Sequence, residues 1–146
     1  MWLDAHGDLN TRETSPSGNE WGMPLRMLLD SGAAAPERTA LVGVRSLDPP
    51  ERSFLAGSGL HSGSDAVERA TAETDCVYVA LDLDVLDPAE IAVFMPEPGG
   101  LSVDEVEQLL VGLASRKTIV GAGLTGLTAA SSNLPVLSRF CTALGL

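Results

Sequence analysis

Two short clusters carry the chemistry that this sequence can do. One is Asp4-Ala-His6-Gly-Asp8 and the other is Asp82-Leu-Asp84-Val-Leu-Asp87-Pro88, and each directly follows an apolar run. Residues at i, i+2 and i+4 of extended chain point to the same side. Asp4, His6 and Asp8 can therefore converge on one spot, and so can Asp82 and Asp84. Carboxylates gathered without countercharge raise one another's pKa, and burial raises it further. A bound divalent ion removes that penalty. An oxygen-rich ligand set with one imidazole suits Mn²⁺, and suits Zn²⁺ or Fe²⁺ less well. A carboxylate that bridges two ions is the usual device of a two-metal site. The competing reading is a set of loop-start aspartates that cap helices, with His6 satisfied in a core. Two such clusters, both after strands, favour metal.

The elements that must position these residues alternate. Met1–Leu3 reads as the end of a buried strand. Asn10–Trp21 is a polar loop with Pro16 and Gly18. Pro24 suits the first turn of a helix carrying Leu25, Leu28 and Leu29, ended by Gly32. Ala40–Val44 reads as a strand and Ser46–Glu51 as a loop stiffened by Pro49 and Pro50. Asp65 and Glu68 have capping spacing for a helix through about Glu73. Cys76–Leu81 is apolar throughout, as in a strand covered on both faces. A long loop spans Asp82–Gly100, and Ser102–Ser115 is an amphipathic helix. Thr118–Ala122 reads as a strand and Asn133–Leu144 as a final helix. This alternation predicts an α/β sandwich with a parallel sheet, in which ligand chemistry sits at the carboxyl ends of the strands.

Composition narrows the function classes. The 146 residues suit one domain, with 45% apolar and 20% charged residues, which argues against disorder. A net charge of −11 speaks against a nucleic-acid binder and fits a holder of cations or cationic substrates. No stretch is long enough to span a bilayer, and the first residues lack the pattern of a signal peptide. Cys76 and Cys141 lie in apolar runs and read as reduced core thiols. The expectation is a soluble, cytoplasmic protein with no membrane or nucleic-acid partner.

Asp4-Ala-His-Gly-Asp-Leu-Asn-Thr, followed by Thr14-Ser-Pro-Ser-Gly-Asn, resembles the first metal motif of the ureohydrolases, the arginase and agmatinase family. Asp82-Leu-Asp-Val-Leu-Asp-Pro88 resembles the second. The resemblance runs from Asp4 to the Gly121-Ala-Gly strand end, and so treats residues 1–146 as one arginase-like domain, the C-terminal half of the family fold. It implies a three-layer α/β/α sandwich around a parallel sheet, with a binuclear Mn²⁺ centre. Asp4 and Asp82 would bridge the ions, His6 and Asp84 would complete one site, and Asp8 would bind the other ion and orient the bridging hydroxide. Asn10 and Ser17 resemble the residues that hold the α-carboxylate of arginine, with Asn19 in the same loop. Asp48 falls where the family recognises the α-amino group, with Glu51 nearby. Glu105 matches the carboxylate that pairs with the guanidinium, but Ser102-Val-Asp-Glu105 is equally a capping box. The implied reaction is manganese-dependent hydrolysis of a guanidino group, L-arginine to ornithine and urea.

The match also has departures. A family histidine in an upstream Gly-Gly-x-His segment falls before residue 1, so one ion keeps only carboxylate ligands. Family members are about twice this long, and a parallel strand without its neighbour leaves an edge that invites association, so a homo-oligomer is in keeping. Trp21 stands in place of a proton-shuttling histidine, which indole cannot replace. The Ala92–Pro98 loop differs from the family's Gly-rich stretch. Arg45 is expected to pair with a carboxylate, His61 to be an exposed loop residue, and Trp2 to pack beneath the site. Alternative functions are an inactive metal-binding remnant, an agmatinase or other amidine hydrolase, and a deacetylase-like metal hydrolase with a single zinc.

Overall fold

Parallel strands need crossover connections, and the alternation of short apolar runs with amphipathic segments supplies them. The computed structural model describes residues 1–146. In chain order the elements are β1 (Trp2–Leu3), α1 (Pro24–Asp30), β2 (Ala40–Val42), α2 (Pro49–Ser58), β3 (His61–Ser62), α3 (Ala66–Thr71), β4 (Cys76–Asp82), α4 (Val103–Ala114), β5 (Thr118–Thr125) and α5 (Leu134–Leu144). The five strands form one sheet in the order β3-β2-β1-β4-β5, and every pairing is parallel.

Side-chain alternation sorts the helices into two layers. Leu3, Val77, Val79 and Leu81 face Val106 and Leu110 of α4 and Phe140 of α5 in the main core. Val67 of α3 packs on this same side. On the opposite face Leu41 and Trp2 meet Leu25 and Leu29 of α1 and Phe54 and Leu55 of α2. The result is the expected three-layer α/β/α sandwich. Its α1/α2 layer covers β1, β2 and Leu60 at the entry to β3 but does not reach β4 and β5.

That uneven cover corrects several expectations. Cys76 and Tyr78 lie on the face of β4 that no helix covers, so both are exposed and the strand is not buried on two sides. Cys76 is thus no core thiol, and Cys141 is only half-buried. The segment read as a Ser46–Glu51 loop opens helix α2, because Pro49 and Pro50 occupy first-turn positions where no N–H is needed. His61 belongs to β3, a two-residue strand too short to show periodicity. Asp65 provides no side-chain cap to α3.

Parallel direction puts every strand's carboxyl end on one edge of the sheet. Between β1 and β4 the connections diverge, β1 running on to β2 while β4 arrives from β3 on the far side. Such a switch point opens a crevice. Register pairs Trp2 with Ala80 and Leu3 with Leu81, so Asp4 and Asp82 emerge level with each other at that crevice.

The main core should dominate stability. Phe140 is fully buried. Phe140→Ala is expected to cost about 3–5 kcal/mol in denaturant unfolding, whereas Tyr78→Ala, on the open face, should cost well under about 1 kcal/mol.

Candidate metal centre

The backbone just past β1 and β4 is shaped by the acidic side chains themselves. Asp4 Oδ1 accepts from His6 N at 2.7 Å, and Asp82 Oδ1 accepts from Asp84 N at 3.1 Å. Each first aspartate therefore folds its own turn, and each turn returns a second ligand to the crevice. Ala5 N donates to Asp84 Oδ1 at 2.9 Å, which ties the two turns together. Asp8 has φ +53°, the sole non-glycine residue in the left-handed region, where aspartate is tolerated better than most.

Asp4, His6 and Asp84 converge so that one ligand atom from each lies within 4.8 Å of the others. His6 Nδ1 is 2.9 Å from Asp84 Oδ2 and 3.4 Å from Asp4 Oδ1. Asp8 and Asp82 line the same cavity, which has a volume of about 850 Å³, but stand outside that tight group. Asp82 Oδ2 accepts from Thr125 Oγ1 at 3.0 Å. Trp2 lines the cavity too, its Nε1 donating to Asp4 Oδ2 at 3.3 Å.

The electrostatics are those of a crowded anionic site. Burial raises Asp4 to about 6 and Asp8 to about 9, with repulsion from Asp84 adding to the first and from Asp4 to the second. Burial likewise raises Asp82. Burial pushes Asp84 up too, but hydrogen bonds from His6 and Ala5 N prevail and hold it low. Hydrogen bonds to Asp4 and Asp84 raise His6 to about 11. An imidazolium thus stands in as the cation among these carboxylates. A donor set of buried carboxylate oxygens and one imidazole, short of positive charge, fits a hard divalent ion.

The polar loop supplies the outer wall. Asn10, Ser17, Asn19, Asp48 and Glu51 all line the cavity. Asn10 Nδ2 donates to Asp48 Oδ2 at 2.9 Å, and its Oδ1 accepts from Thr14 Oγ1 at 3.0 Å. Ser17 Oγ accepts from Asn19 N and Asn19 Oδ1 from Trp21 N. Both Glu51 oxygens are occupied by backbone amides, of Leu9 at 2.9 Å and Asp48 at 2.8 Å. Glu51 therefore holds Asp48 in place. Trp21 lies at the rim, 67% exposed. Glu105 is not brought to the cavity. Its Oε2 accepts from Ser102 N and Ser102 Oγ, both at 2.8 Å, and Ser102 Oγ accepts from Glu105 N, so the capping-box arrangement is the one formed.

One residue beside the site departs from the sequence-based expectation, and a second joins the site without one. Arg45 pairs with no carboxylate. Its guanidinium donates to Asp84 O at 2.8 Å, Val85 O at 3.2 Å, Gly43 O at 3.2 Å, Glu97 O at 3.0 Å and Pro98 O at 3.1 Å. Loop carbonyls converge around the planar fork and take its donors, which leaves none for an acid. Glu97 also lines the cavity, with Oε1 3.3 Å from His6 Nε2. No local motif signals either role.

Two outcomes follow from this geometry. Asp4, Asp8 and His6 all titrate above their ordinary values, so the stability they contribute is full at low pH and lost as pH rises through the folded values. The buried Met1 amine, lowered to about 6, opposes this only between its folded and ordinary values. Melting in EDTA should therefore show the midpoint falling from pH 5 to pH 9, and excess Mn²⁺ should reverse the trend; a midpoint rising with pH in EDTA would contradict it. Second, a Cβ on Gly126 (φ +78°) would sit 2.0 Å from Asp82 Oδ1. Gly126→Ala should displace the Asp82 carboxylate and weaken Mn²⁺ binding at least tenfold by calorimetric titration, on the scale of losing a supporting contact.

Comparison with known proteins gives the family. The arginase family profile matches residues 1–131. The arginase of Bacillus caldovelox is 38% identical across 84% of this chain and 50% of its own length, and that of Bacillus subtilis (strain 168) is 39% identical across 72% and 44%. The chain spans about half the length of these curated relatives. The native structure of the Bacillus caldovelox arginase superposes with a TM-score of 0.88 at 31% identity, covering 98% of this chain and 58% of the other. The matching profile, the relatives' identity and the shared fold lead to one statement: this chain belongs to the arginase family.

Proposed function

We propose that this chain forms a binuclear Mn²⁺ centre that hydrolyses the guanidino group of L-arginine to ornithine and urea. The observation that carries the reading is the convergence of Asp4, His6 and Asp84 within 4.8 Å in the lining of one cavity. The names of the relatives, arginases, support the substrate. A bound pair of divalent ions would supply hydroxide at neutral pH by lowering the pKa of water.

The chain's own residues do the rest. Asp4 and Asp82, level across the crevice, would hold both ions, and His6 and Asp84 would complete the ligand set of one. Asp8 is the residue that orients the attacking oxygen. Its left-handed backbone keeps it at the cavity wall. Asn10, Ser17 and Asn19 present amide and hydroxyl groups at the outer wall for an α-carboxylate, and Asp48 presents a carboxylate for an α-amino group. Glu51 fixes Asp48 through its backbone amide.

A second reading, a metal-binding member without turnover, is favoured by two observations. Trp21 offers no proton-transfer group at the rim, and the Glu105 carboxylate is committed to the α4 cap. Urea release from L-arginine with added Mn²⁺ decides between them. Urea formed from arginine in preference to agmatine supports the hydrolase, while bound Mn²⁺ with no urea supports the binder. Glu105→Ala should leave any urea formation within about threefold and cost of order 1 kcal/mol of stability through the weakened cap.

A further inference from the structure

Glu97 sits in the loop between the centre and α4, in Phe94-Met-Pro96-Glu97-Pro98. Two prolines flank it, and each fixes one backbone dihedral. The loop is pinned at both ends. Phe94 N donates to Gly126 O at 2.9 Å just past β5, and the Arg45 guanidinium takes both Glu97 O and Pro98 O. The same guanidinium holds Asp84 O at 2.8 Å. Glu97 and Asp84 are thus fixed relative to each other through one side chain, and His6 lies between them.

The His6 ring has a different partner at each nitrogen. Nδ1 faces Asp84 and Asp4, at 2.9 and 3.4 Å, while Nε2 faces Glu97 Oε1 at 3.3 Å. An imidazole that ligates a metal through one nitrogen keeps its proton on the other, and a carboxylate accepting that proton fixes both tautomer and ring orientation. We propose that Glu97 is a positioning residue, which accepts the Nε2 proton of His6 and so presents Nδ1 to the ion shared with Asp4 and Asp84. Glu97 acts through His6 and touches no reacting atom. The proposal rests on the metal-centre reading above, though not on hydrolysis.

The test titrates Mn²⁺ alone into the wild-type chain, Glu97→Gln and Glu97→Ala, and records long-range ¹H–¹⁵N spectra of the His6 ring with Zn²⁺ as diamagnetic probe. Glu97→Ala should weaken Mn²⁺ about 10–100-fold, and Glu97→Gln should recover most of that, because its amide oxygen still accepts from Nε2–H. The spectra should show a protonated Nε2 and a metal-bound Nδ1 in the wild type and in Glu97→Gln, and a mixed pattern in Glu97→Ala. Binding in Glu97→Ala within twofold of wild type, or Glu97→Gln as weak as Glu97→Ala, would overturn the proposal. A wild type that binds no Mn²⁺ overturns the metal centre and this role together. A wild type that binds Mn²⁺ without releasing urea overturns only the hydrolase reading, since neither measurement here involves turnover.

Discussion

Asp4 and Asp82 stand level because β1 and β4 run parallel with Trp2 beside Ala80 and Leu3 beside Leu81. Mutual repulsion between their carboxylates and those of Asp8 and Asp84 is the tension around which the rest is arranged. The hydrophobic packing of Leu3, Leu81 and Val79 against α4 and α5 fixes the strands, and the strands leave the charges no room to separate. Apolar burial thereby holds an arrangement that electrostatics alone would scatter.

Relief comes partly from inside. His6 carries its proton far above the ordinary imidazole range because two carboxylates accept from it, and Asp84 stays ionised in return. This internal ion pair satisfies one corner of the cluster only. Asp8, beyond the reach of His6 Nδ1, keeps a proton of its own instead. An incoming cation would have to displace both protons, so metal binding and proton release are one event in this site.

The sequence made the sandwich and the acidic clusters legible for different reasons. Continuous apolar runs of six or seven residues announce β4 unaided, and acids directly after strands announce the crevice. Short elements were opaque: β3 has two residues, and α2 begins at prolines that read equally as a loop. The ambiguity at Glu105 was real in the sequence, since one spacing serves both a cap and a substrate contact, and its resolution needed the cavity's outline. Glu97 has no local signature, and Arg45 reads wrongly as a carboxylate partner, because their contacts are distant in the chain, His6 by ninety-one positions and the carbonyls of Glu97 and Pro98 by more than fifty. No local pattern encodes such contacts.

Arg45 gives the site an unusual charge distribution. A guanidinium that binds only carbonyl oxygens keeps its full positive field, because dipoles solvate it without neutralising it. Its bond to Asp84 O sets it next to the acidic cluster, where it occupies none of the carboxylate oxygens. The protein thereby keeps a fixed cation beside its acidic site without committing a carboxylate oxygen to it.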